Sequence, residues 1–135
     1  MKQKITALVG LLMVGSAMAA APDARVEEYV FSVAGKLHFF MTSRDAEKAL
    51  LAQPANAKNF AKTGRSFTVW STEAPLRPTS ATPVTRFFVP AAGSHAYLTR
   101  AADIAALNAR PNDFVNEGVA FYADVPSASG ACPRR

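Results

Sequence analysis

The sequence predicts an α+β fold: two degenerate strand-strand-helix-strand repeats packed into one small domain. Three observations lead there. Tyr29-Val-Phe31 … Gly35-Lys-Leu-His38-Phe-Phe-Met-Thr42 returns as Arg86-Phe-Phe88 … Gly93-Ser-His95-Ala-Tyr-Leu-Thr99, with both His and both Thr 57 residues apart. Self-similarity at a fixed period marks a unit set beside its copy. Each copy has Val- and aromatic-rich runs around a Gly-containing turn, as a hairpin requires. Each is followed by an Ala- and Leu-bearing segment closed by a proline, Pro54 or Pro111, as a short helix would be.

In the first copy (about 26–72), Val26 to Val33 forms a strand, Ala34-Gly35 a turn and Leu37 to Thr42 the return strand. Thr42-Ser-Arg-Asp45 has capping-box spacing, so a helix through Ala46, Ala49 and Leu50 is expected. Ser66 to Trp70 supplies the third strand. In the second copy (about 83–125), Val84 to Val89 and His95 to Leu98 make the hairpin. Thr99 caps a helix carrying Ile104 and Leu107 on one face, and Val115 to Ala123 closes the unit. Ser71 to Pro83, rich in Pro, Ser and Thr, is the connector. Gly64 aligns with Gly118, which leaves extra residues in the first copy's loop.

Residues 1–19 have the order of a secretory signal peptide. Lys2 and Lys4 precede the apolar run Ile5 to Val14, and Ala17-Met-Ala19 offers a cleavage site. The run is too short for a membrane span, which needs about 20 residues. A periplasmic or secreted chain of residues 20–135 is expected, a single domain with a short C-terminal tail and no span after cleavage. Cleavage removes two of the five net positive charges. With no basic stripe or recognisable module, nucleic acid is not an expected partner. Cys132 is the sole cysteine, so it can form no internal disulfide and offers a disulfide dimer or a free thiol.

Candidate site residues come from hairpin geometry. With a turn centred on Ala91-Ala92, Phe88 faces His95 and Arg86 faces Tyr97, and strand alternation puts all four on one face. Glu117 on the third strand completes the group. The first copy has Tyr29 and Thr63 in place of Arg86 and Glu117. Both charges are missing together, which predicts an Arg86–Glu117 ion pair in the second copy alone. His38 matches His95, and each serves either as a polar anchor in a pocket or as a hydrogen-bonded structural His. No zinc-ligand spacing, nucleophile elbow or phosphate loop occurs, so no metal, cofactor or catalytic residue is assigned. Trp70, Phe87, Phe88, Phe121 and Tyr122 fit a core better than a sugar-stacking platform.

Pro83-Val-Thr-Arg86-Phe-Phe88, Gly93-Ser-His95-Ala-Tyr97-Leu-Thr99 and Glu117-Gly-Val-Ala-Phe121-Tyr resemble a bacterial tandem-repeat family of unknown function. Its pattern is Arg-aromatic-aromatic … Gly-x-His-Phe-Tyr-Thr … Glu-Gly-x-Ala-Phe. The chain departs from it at Ala96 and Leu98; Glu47 and Asp103 stand where the family has an early helix acid. The resemblance implies a secreted module of the kind found beside peptidase or hydrolase domains. The expected function is noncatalytic binding of an envelope or extracellular glycan or protein, with Arg86, His95, Tyr97, Glu117 and His38 lining the site. The alternatives are a small secreted hydrolase using His95 and Glu117, and an oligomerising structural repeat protein.

Overall fold

Each sheet grows from a hairpin whose turn residues adopt what the twist demands. The computed structural model describes residues 20–127 and 129–131. The leader and Cys132 lie outside the described residues. β1 (Ala24–Val33) and β2 (Lys36–Thr42) pair antiparallel across Ala34-Gly35. Both turn residues have positive φ, 48° and 76°, the conformation that matches a two-residue turn to twisted strands. β3 (Ala61–Val69) adds to the far side of β1, giving the order β2-β1-β3. β4 (Thr82–Val89), β5 (Ser94–Leu98) and β6 (Val115–Ala123) form a second antiparallel sheet, β5-β4-β6.

This corrects the expected fold class. The molecule is mostly β, two three-stranded antiparallel sheets in a sandwich-like arrangement, and not an α+β fold of strand-strand-helix-strand repeats. The helices α1 (Asp45–Ala52), α2 (Pro54–Ala57) and α3 (Ala101–Asn108) have eight, four and eight residues. Segments of two turns or so depend on packing for their stability. Yet α1 buries only Leu51, and α2 and α3 bury no residue. They connect strands and do not form a layer. The expected threonine caps are absent too: the cap positions are Arg44 and Arg100, without side-chain cap bonds. Pro54 opens α2 at its first turn, where a missing N–H costs nothing.

The sheets meet at a shared core. Val26 and Val69 from the first pack with Val84, Ala120 and Phe121 from the second. A separate cluster sets Tyr29 and Phe40 against Leu51 of α1. Trp70, Phe87 and Phe121 are buried, as expected of core residues. Two backbone bonds between Trp70 and Tyr122, at 2.9 and 2.8 Å, join the end of β3 to β6. At the opposite margin, Tyr97 of β5 grips β2. Its hydroxyl donates to the Met41 carbonyl at 2.7 Å and accepts from the Met41 N–H at 2.9 Å. No helix among the described residues is long and apolar enough to cross a membrane.

Candidate functional site

β4 carries a guanidinium into the interior. In the β4–β5 register Arg86 pairs with Tyr97 and Phe88 with His95, so the four side chains share a face. Arg86 is 5% exposed. A buried cation requires anionic partners, since desolvation otherwise costs several kcal/mol. Glu117 of β6 supplies one, its Oε2 2.6 Å from Nε. Glu47 of α1 supplies the other as a two-point fork, accepting from Nη1 at 3.0 Å and Nη2 at 2.8 Å. Paired geometry of this kind is the strongest arrangement available to arginine. The Phe40 ring centre lies 5.3 Å from the guanidinium carbon, within cation–π range.

Glu47 is held from several sides. Thr42 Oγ1 donates to it and Arg44 Nη1 reaches it at 3.3 Å. Burial alone would raise its pKa, but the Arg86 bonds and charge, with Thr42 and Arg44, outweigh that and bring it down to about 2. Burial would lower the Arg86 pKa, but the bonds and charges of Glu47 and Glu117 outweigh it and raise it. Both groups stay ionised at neutral pH.

His95 closes the cluster on the β5 side. Its Nε2 stands 3.3 Å from Glu117 Oε2, whereas Nδ1 is buried and without a hydrogen-bond partner. The ring packs edge-on to Phe40 at 5.0 Å and tilted against Phe88 at 5.2 Å. Burial lowers the imidazole pKa and the Arg86 charge adds to this, against the attraction of Glu117. A ring neutral at neutral pH follows.

Three of the five expected site residues therefore come together: Arg86, His95 and Glu117. Tyr97 shares their face, but its hydroxyl is engaged with the Met41 backbone, and burial pushes its pKa up to about 12. His38 is separate, stacked on Phe31 at 5.6 Å. The predicted Arg86–Glu117 pair is present, but sequence reasoning missed that Glu47 completes it. The signals were an acid in the first turn of α1 and its match to the early helix acid of the resembled family, and neither points it across 39 residues to Arg86.

Beside the cluster is a cavity of about 260 Å³, walled by Phe31, Phe40, Leu51, Phe60, Phe88 and His95. These come from β1, β2, α1, the α2–β3 turn, β4 and β5, so the cavity exists only where the sheets and α1 converge.

Residues 29–133 match the model of a domain of unknown function, DUF5648. The chain belongs to this family. That agrees with the expected family of unknown function, and the match takes in the whole Arg86 cluster and every cavity wall. No curated protein and no solved structure matches the chain. Within this DUF5648 domain, the hydroxyl that joins the cluster, Thr42 Oγ1, donates to Glu47. His95 has the Glu117 carboxylate as its partner, no hydroxyl among the described residues bonds its ring, and its other nitrogen is buried. A general base needs one nitrogen within reach of the proton it takes. The arrangement fits holding a wall in position and presenting an apolar recess.

Proposed function

We propose that this DUF5648 chain is an exported, noncatalytic binding module that takes a protein ligand in the periplasm or outside the cell. The observation carrying this is the aromatic-walled cavity at the convergence of the two sheets. Recognition sites are typically concave, apolar and set by a few fixed polar groups. Here the fixed groups are Arg86, Glu47 and Glu117, which pair with one another and hold β4, β6 and α1 in register around the recess. A lining of ring and methyl carbons favours an apolar side chain over a sugar, whose hydroxyls would lose their hydrogen bonds to water. Export rests on the basic, apolar and small-residue order of residues 1–19.

The test is retention from an envelope fraction and on a glycan panel, with the mature protein beside Phe60→Trp. Phe60 is half-buried at the cavity, so the larger ring fills the recess while circular dichroism checks the fold. The expected result is a protein retained by the wild type and lost by the folded variant. Glycans bound instead, or a protein retained equally by both, would overturn the reading.

A further inference from the structure

We infer that the ligand's contacting element is a chain end: an aromatic residue at a free C-terminus, its ring in the aromatic cavity and its carboxylate beside Lys58. This rests on the binding reading above and names its ligand class. A second cavity, of about 480 Å³, adjoins the first and shares Phe31, Phe60 and Gly93 with it. Its further walls include Ser32, Lys58 and Asn59. With His95 neutral, Lys58 is the one charged side chain lining either cavity, and it forms no ion pair among the described residues.

Two other recesses lack that combination. The one at Gly64 sets Arg25, Lys62 and Arg65 against Glu27 and Glu28, with Lys62–Glu27 at 2.8 Å. The one at the start of α1 sets Arg44 against Asp23, Asp45 and Glu73. Of these recesses, the paired cavities join an apolar ring-sized recess to an uncompensated cation. A C-terminal Phe, Tyr or Trp carries a ring and a carboxylate on one residue, which is the complement. The second cavity exceeds what a carboxylate fills, and Ser32 and Asn59 offer polar groups to the last stretch of backbone.

The experiment is a backbone-amide NMR titration of the mature protein with three probes: acetyl-Gly-Phe as the free acid, the same peptide as its C-terminal amide, and phenylacetate. Wild type, Lys58→Gln and Phe60→Trp are compared. The free acid is expected to bind about tenfold tighter than the amide, the worth of one charge-assisted bond. Lys58→Gln should erase that preference while still binding the amide, and Phe60→Trp should abolish both. Equal binding of acid and amide by the wild type would overturn the chain-end assignment and leave the binding reading intact. Phenylacetate binding as tightly as the peptide acid would overturn it in favour of a free aromatic acid. If no probe binds while an envelope protein is still retained in a Phe60-dependent way, this inference fails alone. If neither binds, both readings fail.

Discussion

The two hairpins have the same register and different chemistry. In the first sheet Tyr29 pairs with Phe40 and Phe31 with His38; in the second Arg86 pairs with Tyr97 and Phe88 with His95. Tyr29 is 2% exposed and needs little: its hydroxyl donates to Glu27 at 2.9 Å, and Lys62 neutralises that carboxylate. Arg86 is equally buried but brings a full charge, and one carboxylate does not complete its fork of donors. The β6 strand supplies Glu117 where β3 supplies Thr63, which bonds Glu28 instead. The remaining donors are met by Glu47, which comes from the helix that follows β2. A tyrosine position can be satisfied within its own sheet, whereas the arginine position recruits a partner from the other half and so ties the halves together.

Breaking the arginine position has the largest expected effect. Arg86→Met leaves Glu47 and Glu117 facing each other without their cation, and should cost about 3–5 kcal/mol in urea unfolding. Adding Glu47→Gln and Glu117→Gln should recover more than half of that loss, because no unpaired charge then remains. Equal instability of the single and triple variants would mean that the cluster matters for packing alone.

Acid separates the two positions next. The Glu47 pKa is depressed from 4.5 to about 2, so the unfolded chain binds its proton first. Its contribution is present above pH 4.5 and is lost as pH falls toward 2, by about 3 kcal/mol in all. His95, also lowered from 6.5, adds a loss that begins below pH 6.5, because its folded form stays neutral. Unfolding midpoints measured from pH 7 to 2 should show both losses in the wild type. The Glu47→Gln/Arg86→Met/Glu117→Gln variant should have a flatter profile below pH 4.5.

Smaller effects sharpen the contrast. Tyr97→Phe strips both side-chain bonds from the Met41 backbone at the sheet margin and should cost about 1–3 kcal/mol. Tyr29→Phe removes one bond from a carboxylate that keeps Lys62, and about 1 kcal/mol or less is expected. Urea titrations of the two variants together test the order, which would reverse if β2 were held by its own sheet and not by Tyr97.

Much of this was legible in local chemistry. Ala34-Gly35 and Ala91-Ala92-Gly93 set the two turns, and strand alternation then placed Arg86, Phe88, His95 and Tyr97 together. The joint absence of Arg86 and Glu117 equivalents in the first half pointed to their pairing. Fold class was misjudged because capping and proline signals mark where helices start and stop, not whether they bury enough to form a layer. The third strand begins at Ala61, five residues before its expected start at Ser66, since Lys62-Thr63-Gly64 reads as loop until β1 pairs with it. Glu47 and the cavity were out of reach for one reason. Both depend on segments far apart in the chain, and a single sequence holds no local mark of such contacts.

A double-mutant cycle between Glu47→Gln and Arg86→Met tests most directly whether this ion pair couples the two halves. The account predicts a coupling energy of about 2 kcal/mol or more, within the range for residues in direct charged contact. Single-variant losses that add to within about 0.5 kcal/mol would show that the two groups act independently, and would contradict it.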